Sequence, residues 1–280
     1  MVVHARLPSI ALAGQVGCLW EQEGPRPGHP VERVVPSASC EIVLALHDAP
    51  LRVIDHDGSV LDLGSALFSG PQTRPRLIDT SGPGALLGVH FLPGGAYPFF
   101  AIPVGTLRDA CVPLDALWGA EVAELRALLL EMHEARARFD LLERALLARR
   151  SARATPHPAV RFGLGALVSA RVAAVTAETG LSARRFGELF QREVGPPPKL
   201  YARLCRFQRV LRGLDGEDAV DWAGIAASHG YADQAHLIRD FREFASMTPT
   251  DYVGRRTGQQ NHVVADVGSN SFKTGDHATP

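Results

Sequence analysis

One helical pattern, occurring twice around Gly180 and Gly230, constrains this chain more than any other feature. In VAAVTAETGLSARRFGELFQREVG, residues 172–195, a short apolar stripe of Val172, Val175 and Ala177 leads to Gly180. A glycine there lets a helix reverse through positive φ. Ser182 stands as N-cap of the next helix, with Arg185 rather than Glu three residues on, so a cap without a capping box is expected. Phe186, Leu189 and Phe190 recur at the spacing of one buried helix face and leave Arg184, Arg185, Gly187 and Glu188 outward. The stretch DWAGIAASHGYADQAHLIRDFREF, residues 221–244, repeats the plan. Trp222, Ile225 and Ala226 make the stripe, Gly230 the turn, Asp233 the cap, and Leu237, Ile238 and Phe241 the second face. Superposed on the glycines, Leu181 meets Tyr231, Leu189 meets Arg239, and Phe190 meets Asp240 or, with a one-residue slip, Phe241. The repeat is of type and not of strict register. A repeated helix-turn-helix is a specific signal, because a single one is easily matched by chance.

Taken with their neighbours, these residues resemble the DNA-binding domain of AraC-type transcription regulators. The matching elements are G-L-S-x-R-x-F-x-x-x-F at 180–190, V-G-x-x-P-K at 194–199, Arg203 to Phe207, and I-A-x-x-x-G-Y at 225–231. D-Q-x-H-x-x-x-x-F at 233–241 and M-T-P-x-x-Y at 247–252 complete the order. The resemblance implies that the second helix of each unit enters the major groove of double-stranded DNA. The implied base readers are Arg184, Gly187 and Glu188 in the first unit and Gln234, His236 and Arg239 in the second. Arg suits guanine and Gln suits adenine in bidentate geometry, while Glu can accept from cytosine. A basic residue is common in the family where Glu188 stands, so an intrahelical pair with Arg184 or Arg192 is the other role open to it. His236 has a capping or packing role as its alternative. Ser182, Arg185, Lys199 and Arg203 are assigned to phosphates, which position the protein without reading sequence. Further partners implied are RNA polymerase, a small-molecule effector and a second copy of the chain, with activation or repression both open.

Charge distribution agrees with this reading although the net charge of −1 does not. Between 171 and 213, nine Arg and Lys residues face only Glu178, Glu188 and Glu193, a local excess of six, and phosphate binding depends on the local field.

The first 112 residues have another character. Proline and glycine recur between short β-type runs at 41–46, 51–55, 59–63, 67–70, 76–79 and 85–91, with a hairpin signal at Asp57-Gly58. Such a series implies a small sandwich or barrel, with Trp20, Val43 and Phe91 in its core. The period then changes to helical, over 121–132 with Leu125, Leu128 and Leu129 on one face, and over 139–150 with Leu142, Leu146 and Leu147. This order resembles the cupin-like sensor halves of AraC-type regulators. The local matches are Cys18–Glu21, V-P-S-x-x-x-E-I-V-L at 35–44 and G-V-x-F-x-P-G-G at 88–95. The leucine stripes either offer an interface to a second copy or cover the barrel.

The expected architecture is therefore α+β. A β-rich cupin-like sensor or dimerisation domain occupies 1–150, a linker with two prolines 151–158, an all-α domain with two helix-turn-helix motifs 159–256, and a polar tail expected to be disordered 257–280. At 280 residues and 46% apolar the chain can build two cores. No apolar run is long enough to cross a membrane and no signal peptide is legible, so a cytoplasmic protein is expected. Cys18, Cys40, Cys111 and Cys205 are scattered, which fits buried thiols in a reducing compartment. Two enzymatic alternatives stand beside a regulator, a cupin-like metalloenzyme and an alkylation-repair protein fused to a DNA-binding domain. His4, His29, His47, His56 and His90 lack the paired spacing of a metal site, and the cysteines lack an N-terminal cluster. No catalytic residue, metal ligand or cofactor is expected.

Overall fold

The computed structural model describes residues 2–24, 28–55, 58–82, 84–151, 155–214, 221–259 and 261–265. His56 and Asp57 of the expected hairpin turn lie outside the described residues, but Gly58 follows at φ +85° between β5 (Arg52–Ile54) and β6 (Val60–Asp62). The N-terminal half is two antiparallel sheets. The first orders β1 (Val2–Arg6), β2 (Val16–Glu23), β9 (Leu86–Phe91), β4 (Cys40–Ala45), β7 (Ala66–Ser69) and β10 (Cys111–Pro113) from edge to edge. The second orders β11 (His262–Val264), β3 (Val31–Val34), β8 (Arg76–Asp79), β5 and β6.

Alternation along the strands of the first sheet divides two cores. Cys40, Ile42 and Leu44 of β4, Leu87, Val89 and Phe91 of β9, and Ala66 and Phe68 of β7 point one way. They meet Trp118 of α1 (Asp115–Trp118), Val122, Leu125 and Leu129 of α2 (Glu121–Glu131), and Phe139, Leu142 and Leu146 of α3 (Ala135–Arg149). Val43, Ala45, Leu67 and Leu86 point the other way, towards Leu51, Val53, Leu63 and Ile78 of the second sheet. The leucine stripes thus cover the first sheet. Leu125 is 8% and Leu129 0% exposed, so neither is offered to a second copy, and Leu128, expected on the same face, is 48% exposed instead. Trp20 also departs from expectation. It lies half-buried across Gly88, which has no room for a side chain, and its Nε1 donates to Glu41 at 3.3 Å.

The C-terminal half is helical: α4 (Pro158–Ala166), α5 (Val172–Glu178), α6 (Ala183–Val194), α7 (Pro198–Gly213), α8 (Trp222–Ser228), α9 (Gln234–Ala245) and α10 (Pro249–Arg255). One core runs through it. Phe186 and Phe190 of α6 reach Tyr201 of α7, and Phe207 further along α7 meets Phe241 and Phe244 of α9 edge-on and tilted, at 5.0 and 5.3 Å.

The tail departs from the expected disorder at its start. After α10, Thr257 N donates to His262 O, and β11 pairs with β3 of the N-terminal half, Val263 opposite Arg33. Val263 is fully buried, and His262 Nδ1 meets Glu32 at 2.6 Å. His29 Nε2 holds the other oxygen of Glu32 at 2.7 Å. A buried β-branched residue and a buried carboxylate between two imidazoles supply the ordering that polar composition does not reveal. Residues 266–280 lie outside the described residues.

Candidate nucleic-acid interface

Each helix-turn-helix is built as its glycine and cap dictate. Gly180 and Gly230 sit at φ +68° and +75°. Ser182 Oγ accepts from Arg185 N at 3.2 Å to start α6, and Asp233 Oδ1 accepts from His236 N at 2.6 Å to start α9. The caps explain the slip in the repeat. Ser182 follows its glycine by two residues and Asp233 by three, so the turn of the second unit is one residue longer. Counted from the caps the register is strict, pairing Phe186 with Leu237, Leu189 with Asp240 and Phe190 with Phe241.

On α6, Arg184, Arg185 and Glu188 are exposed and Gly187 is half-exposed. Arg184 Nε donates to Glu188 at 2.9 Å, with Arg185 Nη1 at 3.8 Å from the same carboxylate. Arg184's hydrogen bond holds Glu188 below the usual glutamate range. Glu188 therefore takes the intrahelical role in this state, paired with Arg184 on the exposed side of α6. Lys199, near the start of α7, is exposed.

On α9, Gln234 and Arg239 are exposed. The His236 imidazole instead packs edge-on against Tyr231, 5.0 Å between ring centres. Arg206 stacks on the same tyrosine at 4.5 Å and donates to Gly230 O at 3.0 Å, so the turn is held from both sides. His236 thus takes the packing alternative. Arg203 departs further from its expected role. Its guanidinium donates to Asp240 at 2.7 Å and to both oxygens of Glu243 at 3.0 and 2.6 Å, and it covers the Phe244 ring. Asp240 is 1% exposed. A guanidinium closing over a buried carboxylate is not free for a phosphate, so Arg203 ties α7 to α9.

Other cations of the helical half stay open to solvent. Arg171, Lys199, Arg212, Arg239 and Arg242 are exposed, and none pairs with a described carboxylate. Gln191 and Arg242, one turn beyond Glu188 and Arg239, are exposed as well. Their i+3 spacing from those residues was legible in the sequence and went unused.

The face of α6 away from these residues docks on the N-terminal half. A side chain at Gly105, in the 3₁₀ turn Val104–Leu107, would collide with the Gln191 carbonyl of α6. Gly94 lies under Leu164 and Val194, and Gly195 at φ +110° lies against Pro71. Gln208 Nε2 of α7 donates to Pro36 O at 2.8 Å, buried, while Val35 and Ala38 enter the helical core. Glu193, 1% exposed, accepts from His157 N at 2.8 Å and from Arg192 at 2.6 Å. The V-P-S and P-G-G stretches of the sequence are thus the loops that meet the DNA-binding half.

Among the described residues, no helix is long and apolar enough to cross a membrane, and no cluster of three or more His, Cys, Asp or Glu is placed to hold a metal ion.

Comparison with known proteins agrees with this geometry. Residues 175–255 match a helix-turn-helix domain family, and residues 4–113 match a domain of unknown function, DUF6597. The C-terminal half is an AraC-type helix-turn-helix domain. A domain of this kind is a DNA-binding module of transcription regulators. No curated protein matches the chain. Among solved structures, apo ToxT of Vibrio cholerae in a variant form is similar at 11% identity, over 90% of this chain and 96% of that one, with a TM-score of 0.44. Unsaturated-fatty-acid-bound wild-type ToxT is similar at 11% identity, over 84% and 99%, with a TM-score of 0.44.

Proposed function

We propose that this regulator reads two successive major-groove segments of one duplex, α6 entering one and α9 the other. The observation that supports this is the single apolar core running from Phe186 through Phe207 to Phe241. It makes the two units one rigid body, each with the N-terminal part of its second helix turned to solvent. Arg184 reads guanine in the first segment, with Gly187 allowing close approach of the backbone. Gln234 and Arg239 read the second. Glu188 acts by orienting Arg184, and His236 by holding the turn. Ser182, Arg185 and Lys199 take phosphates, joined by Arg171 and Arg242. The N-terminal half senses a small-molecule effector and passes its state to α6 through the seam at Gly94, Gly105 and Gly195. RNA polymerase is the partner through which a bound regulator acts. One protomer serves an asymmetric site, a reading supported by the burial of Leu125 and Leu129 against the first sheet.

Selection of bound sequences from random duplex DNA with the full chain tests this reading. The expected product holds two specific blocks, their centres about one helical turn apart. A single block, or sequence-independent recovery, overturns it.

A further inference from the structure

A cavity of about 270 Å³ opens where the two sheets part, walled by β5, β8 and β10. Val53, Leu61, Pro75 and Leu77 give it an apolar side, and Arg74 and Arg76 a cationic one. For scale, a cavity of roughly 150 Å³ accommodates benzene, so this one has room for a ring and a short arm.

Arg76 is the residue that calls for a ligand. It is half-buried, and its Nη1 donates to Ser69 Oγ at 2.6 Å and Cys111 Sγ at 2.8 Å, both neutral acceptors. Burial raises the Cys111 thiol above its ordinary range despite the opposing pull of Arg76, so it remains protonated and offers no counter-charge. No described carboxylate pairs with Arg76. The acids nearby are committed elsewhere. Asp109 accepts from Thr73 N and Thr73 Oγ, each at 2.6 Å, and from Arg74 N at 3.1 Å. Glu41, beside Ser69 in the ladder, is held by His90 at 2.5 Å and by Trp20 at 3.3 Å. Asp55, on the cavity wall, has a partner of its own. Elsewhere in this half, partly buried guanidiniums meet carboxylates: Arg6 meets Asp140 and Glu143, Arg138 meets Glu21, and Arg149 meets Glu121. A partly buried cation without an anion is costly, and the Arg76 side of the cavity lies across from an apolar wall.

We infer that this cavity is the effector site and that it takes a compact organic carboxylate, its anionic end on Arg76 and Arg74 and its apolar body against Val53, Leu61 and Leu77. The inference rests on reading the N-terminal half as a sensor. Arg76 suits a planar carboxylate because its guanidinium can donate two parallel hydrogen bonds. Cys111 lies on β10, which leads directly into α1, so occupation of the site bears on the strand that joins the sheets to their helical cover.

The test is calorimetric titration of the full chain with benzoate, phenylacetate and 3-phenylpropionate, beside phenylacetamide, acetate and inorganic phosphate. At least one aromatic carboxylate should bind, and phenylacetamide, acetate and phosphate should each bind at least about tenfold more weakly. Arg76→Gln should reduce affinity by a similar factor. Leu61→Trp, at a wall position 40% exposed to solvent, should fill the space and abolish binding with the melting temperature unchanged. Failure of all three carboxylates to bind overturns the proposal. So does equal binding of phenylacetamide, acetate or phosphate, or binding that survives Leu61→Trp. Duplex binding measured on the same preparation separates the readings. If duplex binding persists while no carboxylate binds, only the effector site is lost; if wild-type protein ignores duplex DNA, the regulator reading fails whatever the titration shows.

Discussion

The two helix-turn-helix units share a plan and differ at one core position. In the first, Leu189 of α6 is buried among Phe186, Phe190 and the helices around them. In the second, counted from the cap, the same place holds Asp240, equally buried and neutralised by Arg203 from α7. The first unit is also docked on the N-terminal half along α6, whereas among the described residues no hydrogen bond runs from α8 or α9 to that half. Its order relative to the first unit comes from α7, and its tie to the N-terminal half from β11 beyond α10. An apolar residue suffices where a neighbouring domain supports the unit from outside. Where it does not, a directional ion pair fixes how the second reader is set against the first.

That contrast is broken most severely by Arg203→Ala. Loss of the guanidinium leaves Asp240 buried without its partner, and changes of that kind cost roughly 3–5 kcal/mol. Denaturant unfolding should show this loss in the full chain, with the affinity for all duplexes falling only as the fold does. Arg203→Met combined with Asp240→Leu, which makes the second unit resemble the first, should recover most of the stability. A single Arg203→Ala that keeps its stability and loses only DNA affinity would return Arg203 to the phosphate contacts and dissolve the comparison.

The seam offers the next largest effect. Gly105→Val must push the 3₁₀ turn off the Gln191 carbonyl, at a cost of about 1–3 kcal/mol. The expected result is parting of the halves, read as faster proteolysis in the linker at 151–158, with both cores intact. Val263→Asp should do the same from the other end by placing a charge in the core that β11 closes. The β11 strap also carries a pH signature. Burial alone would raise Glu32, yet the hydrogen bonds of His262 and His29 overrule it and hold the carboxyl below its ordinary value. Its contribution is therefore fully present above the usual glutamate range and is lost as the pH falls through the lowered value. Proteolysis of the linker should accelerate on acidification below about pH 4.5, and Glu32→Gln should remove that dependence. Unchanged cleavage in Gly105→Val and Val263→Asp would mean that the two halves are not held together by the seam and the strap.

Local patterns carried much of the reading. The runs at 41–46, 76–79 and 85–91 became β4, β8 and β9, because alternation and flanking turn residues decide a half-buried strand within a few positions. Gly180, Ser182, Gly230 and Asp233 declared both turns and both caps. What failed to show was non-local. β1, β2, β3, β10 and β11 went unassigned: β11 is three residues long, and nothing near it announces that Val263 will be buried against β3. Nor does the spacing of Arg203 and Asp240, thirty-seven residues apart, signal a contact. Phosphate contact was the natural expectation for a basic helix face. The leucines at 125 and 129 show the limit most plainly, since a stripe looks the same whether a barrel or a second copy covers it.

Within the reading surface the two units should respond differently by position. On the proposed reading, Arg184→Ala should relax one position of the site at a cost of about 1–3 kcal/mol. Glu188→Ala frees the same arginine from its partner and should broaden specificity there with less loss. Lys199→Ala should weaken every duplex alike and lower the salt slope by about one. A panel of duplexes varied one base pair at a time distinguishes these outcomes. If Arg184→Ala also weakens all members equally, Arg184 belongs with the phosphate contacts and only α9 reads sequence.

The smallest effect lies at the caps, where the units differ by one charge. Ser182 presents a hydroxyl at the start of α6, so that helix end stays electropositive and can draw a phosphate towards Arg185 and Lys199. Asp233 caps α9 with a carboxylate, which satisfies the same backbone donor but repels a phosphate arriving there. Asp233→Asn keeps an N-cap oxygen and removes the charge. Helix stability should change little, since Asn and Asp cap about equally well, while duplex affinity rises by about 0.5–1 kcal/mol at low salt, a few-fold. Ser182→Ala should act oppositely, costing about 1 kcal/mol of stability together with a modest loss of affinity. Fluorescence anisotropy across a salt series reads both. The gain from Asp233→Asn must fade as salt rises, because it is a through-space term screened over about 10 Å at 0.1 M. A gain that persists at high salt would show that Asp233 restrains α9 by its geometry, and the asymmetry between the two readers would then be one of rigidity and not of charge.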